Sequence, residues 1–132
     1  MNEPHVLIVE DQRNIAMDLK ANLLAMATAV GLSVKISVTG SYEEAYTSFE
    51  KQVPDLISLD GRFPFKKDSS EIGENGKLLA QRIKAIHEPF PIFAFCGTRE
   101  DFYGIISEYR IIEKPKSKEW ARKIIAFLQT GI

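Results

Sequence analysis

The stretch "PDLISLDGRFP", Pro54 to Pro64, is apolar up to Asp60 and then breaks into Gly61-Arg62-Phe63-Pro64. An apolar run of strand length is the pattern of a strand covered on both faces, because neither set of alternating side chains meets water. Strands of that kind belong to parallel sheets flanked by helices. Asp60 at the tip is then either a turn residue ahead of a glycine or a reactive carboxylate held at the strand's carboxyl end. The remainder of the chain decides between those readings.

Outward from this stretch, strand and helix signals alternate. "HVLIVE" (His5–Glu10) is another short apolar run. Ile15, Leu19, Leu23, Met26 and Val30 then recur at helical spacing, with Gly31 as a stop. "SVKISVTG" sets Val34, Ile36 and Val38 against polar neighbours, which predicts a less covered strand at an edge. Ser41 stands three residues before Glu44, the capping-box spacing, and opens a helix with Ala45, Tyr46 and Phe49 inside. Beyond Pro64 comes a polar loop, "FKKDSSEIGENG", then a helix marked by Leu78, Leu79, Ile83 and Ile86.

"FPIFAFCG" is apolar throughout and predicts a central strand. "TREDFYGIISEY" reads as a weak helix interrupted by Gly104, and "RIIEK" as a short strand ended by Pro115. Ser117 is the expected cap of a last helix whose inner face is Trp120, Ile124, Phe127 and Leu128. This succession predicts an α/β fold, a doubly wound five-stranded parallel sheet with helices on both faces, in one domain over residues 1–132.

Composition narrows the function classes. At 132 residues the chain suits one domain, and 45% apolar with 27% charged residues is the balance of a soluble globular protein. A net charge of −1 supplies no field for nucleic acid or an anionic membrane, so neither is expected as a partner. The single cysteine, Cys96, excludes an internal disulfide and fits a reducing compartment. No apolar run approaches the roughly 20 residues that cross a bilayer. The start, "MNEPHVLIVED", lacks the features of a secretion signal, and a cytoplasmic location is expected.

In open α/β sheets, ligands bind beyond the carboxyl ends of the strands, where the strand order reverses. The predicted strands end in Glu10-Asp11, in Asp60, in Cys96-Gly97-Thr98 and in Lys114-Pro115. If the order is 2-1-3-4-5, strands one and three are neighbours, and Glu10, Asp11 and Asp60 converge. Crowded carboxylates repel one another unless a cation sits among them. A hard divalent ion, Mg²⁺, suits a site of few carboxylates plus water and phosphate oxygens. Lys114, arriving from the other side, would complete a pocket for an anion bound to the metal. For each residue alone a blander role exists: helix-start chemistry for the acidic pair, a turn for Asp60, an exposed strand end for Lys114.

Taken in order along nearly the whole chain, the Glu10-Asp11 pair, Asp60 with Pro64 four residues later, and Lys114-Pro115 resemble the receiver domains of two-component response regulators, which have the CheY-like, flavodoxin-like fold. The resemblance implies that Asp60 accepts a phosphoryl group from a histidine kinase or phosphotransfer protein. It implies that Glu10, Asp11 and Asp60 hold Mg²⁺ together with the backbone carbonyl of Arg62. It further implies that Lys114 contacts the phosphoryl group, that the peptide bond after it is commonly cis, and that an output protein receives the signal. A domain of this kind is a phosphoacceptor switch rather than an enzyme, its chemistry confined to its own phosphorylation and dephosphorylation.

The chain also departs from that pattern. Cys96 stands where the family has Thr or Ser, and a thiol is a weak donor. Thr98, two residues on, either takes that role in a reshaped turn or caps a helix with Asp101. Ile111 occupies the position of the switch aromatic, and Tyr109 lies two residues too early to replace it. The loop from Pro64 to Gly76 is longer than the family's connection, as is the first helix region. Lys66 and Lys67 read as solvated lysines, and His5 and His87 as structural or surface residues.

Phosphate capture is therefore expected to be kept and signal readout altered. The competing function is a pseudo-receiver, an interaction module that works without phosphorylation. A flavin-binding domain of similar topology would need a Ser-, Thr- or Gly-rich loop after strand one, where "EDQRN" repels phosphate.

Overall fold

Strand β1 (His5–Val9) pairs in parallel with β2 (Lys35–Thr39) on one side and β3 (Leu56–Leu59) on the other. β4 (Ile92–Cys96) continues from β3, and β5 (Ile111–Glu113) closes the far edge. The order β2-β1-β3-β4-β5 is the one expected, with β2 at an edge. The computed structural model describes residues 3–132.

The sheet separates two cores. On one side α2 (Tyr42–Lys51) and α3 (Asn75–His87) cover Leu7, Val9, Ile57, Leu59 and Ala94. On the other, α1 (Arg13–Ala29) and α4 (Ser117–Thr130) cover Val6, Ile8, Leu56, Phe93 and Ile112. Both faces of β1, β3 and β4 are buried throughout, which accounts for their uninterrupted apolar sequence. β2 shows the mixed burial that its alternation predicts.

Helix faces differ in detail from the periodicity. α1 buries Ala16, Leu19, Leu23 and Ala27, while Val30 lies outside it and exposed. Its small alanines let the helix sit close to the sheet, a packing need that a search for large apolar residues overlooks. α3 buries Leu79, Ala80 and Ile83, and Leu78 and Ile86 face solvent. The Ser41 cap forms as predicted, with the Glu44 amide donating to Ser41 Oγ at 3.2 Å. Ser117 is not the cap of α4; Lys116 holds that position, and Ser117 Oγ meets Asn22 of α1.

The largest departure lies between β4 and β5. No α-helix forms there; two short 3₁₀ turns, Arg99–Phe102 and Glu108–Arg110, replace the predicted weak helix. Gly104 sits between them at φ +79°, a left-handed conformation that interrupts helical winding. Phe102 and Ile106 are nevertheless buried, so the segment is anchored by side chains rather than by a helix.

Candidate functional site

The register Val9↔Leu59 makes Glu10 and Asp60 leave the sheet side by side. The Asp60 amide donates to Val9 O and the Glu10 amide to Thr39 O, each at 2.9 Å, so the backbone holds both at the sheet's edge. Asp11 follows in the turn into α1. One ligand oxygen from each of Glu10, Asp11 and Asp60 can be chosen with all three within 4.8 Å of one another. Glu10 and Asp60 are buried, and Asp11 is the least covered of the three.

Lys114, at the end of β5, brings its ammonium to 2.9 Å from Glu10 Oε1 and 3.1 Å from Asp60 Oδ2. The next peptide bond, Lys114–Pro115, is cis. Asp60 Oδ1 accepts from the Gly61 amide at 2.7 Å, and Glu10 Oε2 from the Gln12 amide at 3.2 Å. Glu10 Oε1 has Lys114 as its one charged partner, at 2.9 Å.

The electrostatics record the crowding. Burial, reinforced by the neighbouring Asp60 charge, pushes Glu10 up to about 7, with Lys114 and the Gln12 amide offsetting part of the rise. Burial works against the charge on Lys114, but the Glu10 and Asp60 carboxylates outweigh it and raise the lysine above its usual range. One ammonium shared by two buried carboxylates leaves a net negative pocket. Oxygen donors of this kind, few and convergent, fit a hard divalent cation such as Mg²⁺.

Two glycines shape the site. A Cβ on Gly76 would lie 2.0 Å from the Asp60 carbonyl oxygen, so the first turn of α3 sits on the acceptor strand only because this residue has none. A Cβ on Gly61 would come within 2.8 Å of Asp101 Oδ2. Asp101 itself is buried and receives Arg62 in two contacts, Nε to Oδ2 at 3.2 Å and Nη2 to Oδ1 at 3.3 Å. Asp11, Asp60, Arg62, Thr98, Asp101 and Lys114 line one cleft of about 270 Å³. A larger groove of about 440 Å³ between α1 and α4 carries no carboxylate in its lining, so the chemistry belongs to the smaller cleft.

No protein-family model matches the chain, and no curated protein matches it. Solved structures do. The receiver domain of the Francisella response regulator 1452 superposes with a TM-score of 0.77 at 15% identity, covering 98% of this chain and 100% of that one. The chemotaxis response regulator CheY4 of Vibrio cholerae gives 0.72 at 15% identity, covering 95% and 98%. A two-component response regulator from Legionella pneumophila gives 0.71 at 16% identity, covering 97% and 99%.

The chain has the receiver fold.

Within the receiver fold, the residues singled out from sequence divide into two groups. Glu10, Asp11, Asp60 and Lys114 come together, with Arg62 and Thr98 on the same cleft. Cys96 does not join them. Its side chain is fully buried in the core cluster beneath α2 and α3, and its thiol, pushed up to about 11 by burial and then by Asp60 and Asp101, stays protonated. Thr98 makes no side-chain cap on the turn it precedes. Ile111 is buried, while Tyr109 is exposed beneath Lys123 and reaches no part of the cleft. His5 is buried on β1 against Ser37, and His87 lies exposed at the end of α3.

Sequence reading did not find the site roles of Gly61, Gly76 and Asp101. Asp101 was visible only as a capping partner for Thr98, and no local signal announces that a glycine opening a helix touches a strand end sixteen residues back. The long loop also has structure. Phe63 and Gly73 exchange backbone hydrogen bonds at 3.2 and 3.3 Å, and Asn75 Nδ2 donates to Phe63 O at 2.7 Å. Phe65 stacks on Tyr42 with ring centroids 4.6 Å apart, and Ile72 reaches the cleft wall. Lys66 and Lys67 remain exposed.

Proposed function

We propose that this chain is a phosphoacceptor switch of two-component signalling, taking a phosphoryl group onto Asp60 in a Mg²⁺-dependent reaction. The observation that carries the reading is the meeting of Glu10, Asp11, Asp60 and Lys114, from three separate strand ends, in one open cleft. Glu10, Asp11 and Asp60 would hold the cation, with the Arg62 carbonyl as a further ligand. When bound, the ion neutralises charge on the transferring phosphoryl oxygens.

The chain's own residues do the rest. An Asp60 carboxylate oxygen forms the new phosphorus–oxygen bond as the phosphorus–nitrogen bond of a kinase phosphohistidine breaks. The bonding pair returns to the ring nitrogen, and imidazole leaves neutral when its far nitrogen is protonated. Lys114 shifts its charge from the carboxylates toward the incoming oxygens. No general base is needed, since a carboxylate attacks without giving up a proton. The domain's role is regulatory, its location cytoplasmic, and its output runs through a partner protein.

A second reading draws on the missing helix between β4 and β5 and the burial of Cys96: an interaction module that works without phosphorylation. One experiment separates them. Intact-mass measurement after treatment with acetyl phosphate and Mg²⁺ should show one added phosphoryl group, absent when Mg²⁺ is chelated and abolished in Asp60→Asn. Unmodified wild-type protein would favour the second reading, and labelling retained in Asp60→Asn would refute the site.

A further inference from the structure

Residue 96, at the end of β4, offers the receiver-like cleft no hydroxyl, because it is a fully buried cysteine, and the nearest one is that of Thr98, two residues on in the cleft lining. An incoming phosphoryl group carries more oxygens than one cation and one lysine can satisfy. Something else on this chain must meet the remaining oxygen or leave it to water.

Arg62 is suited to that task. It lies two residues beyond Asp60, lines the same cleft, and remains more than half exposed, its side chain 55% accessible. Asp101 grips its Nε and Nη2 edge through two contacts. A guanidinium has five N–H donors in a fixed plane. Two are committed to Asp101, and three stay free on a group whose plane that carboxylate now sets.

Asp101 is itself built in. It is 7% exposed, its amide donates to Thr98 O at 3.2 Å, and it approaches the backbone of Gly61 where any larger residue would collide with it. A buried carboxylate gripping a largely exposed guanidinium orients the arginine more than it stabilises the fold. The bridge also joins the loop after β3 to the turn after β4, the two segments that flank the cleft.

We infer that Arg62 is a phosphoryl-binding residue, supplying a donor that Cys96 does not, and that Asp101 is a positioning residue that aligns it. The inference rests on the phosphoacceptor reading above. With acetyl phosphate as donor, the bond from phosphorus to the acyl oxygen breaks, acetate leaves with the electron pair, and Asp60 forms the new bond. Arg62 donates to a non-bridging oxygen throughout and exchanges no proton.

The test follows Asp60 phosphorylation by acetyl phosphate at saturating Mg²⁺, together with binding of beryllium fluoride, in wild type and variants. Arg62→Gln should slow phosphorylation about tenfold or more, the worth of a hydrogen bond to a charged group, and weaken beryllium fluoride to a similar degree. Mg²⁺ affinity and melting temperature should stay close to wild type. Arg62→Lys should recover part of the loss through its charge. Asp101→Asn should lower the rate less than Arg62→Gln, and adding it to Arg62→Gln should change nothing further, since it acts through the arginine.

Wild-type or faster phosphorylation in Arg62→Gln overturns the assignment. So does a loss matched by equal falls in Mg²⁺ affinity and melting temperature, which would make the bridge merely structural. A wild-type protein that takes no phosphoryl group at all removes the phosphoacceptor reading and this inference together. Normal wild-type labelling with an indifferent Arg62→Gln removes the inference alone.

Discussion

The carboxyl ends of β3 and β4 lie side by side in one sheet and have been treated in opposite ways. At β3, Asp60 is turned outward to meet Glu10 and Lys114, and the following glycine and the glycine opening α3 leave it room. At β4, Cys96 is fully buried at the border of the apolar core and outside the cleft lining, and irregular turns stand where a helix would begin. One strand end presents a reactive group, and its neighbour has closed over. On the phosphoacceptor reading proposed above, capturing an anion and reporting it would be separable jobs: the first needs only convergent charges, while the second needs a change that reaches the β4 side.

Breaking the β3 side should have the largest effect. Gly76→Ala forces a methyl group into the Asp60 carbonyl, and should cost about 3 kcal/mol or more, the upper range for overpacking. Urea denaturation measures this, and a cost below about 1 kcal/mol would mean that α3 is free to slide away from the acceptor strand.

The β4 side answers to Cys96→Thr. A hydroxyl placed at that fully buried position, if it finds no partner, should destabilise by about 1–3 kcal/mol. Unchanged stability together with faster phosphorylation would instead show that residue 96 can turn to the cleft.

Amide exchange sharpens the contrast between capture and report. With Mg²⁺ and beryllium fluoride, slowed exchange should be concentrated in residues 10–12, 60–63 and 76–79, with little change over residues 96–114. A large change confined to the latter span would show that the β4–β5 side relays the signal after all.

The smallest expected effect lies at the opposite end of β1. Burial, with Lys35 adding and Asp55 opposing, holds His5 below its ordinary value near 6.5. The unfolded chain then binds a proton more readily than the folded one, so stability present above pH 6.5 is lost as pH falls through and below it. His5→Gln should flatten that part of the stability curve while leaving phosphorylation untouched, and an identical slope in both proteins would contradict the shift.

The comparison also shows why some features were legible and others were not. β1, β3 and β4 announce themselves because burial on both faces requires an unbroken apolar run. The Ser41 cap is equally plain, since donor and acceptor lie three residues apart. The segment after Cys96 misleads, because "TREDFYGIISEY" carries helical composition while Gly104 and the anchoring of Phe102 and Ile106 select turns.

Local order along the chain was enough to determine the strands, their sequence and the acidic residues at their tips, because periodicity and capping act over a few neighbours. Which of those tips face one another, that Cys96 turns inward, and that Arg62 finds Asp101 were decided only by the folded molecule. Those outcomes depend on sheet register and on where a missing Cβ leaves space, and both are relations between residues tens of positions apart.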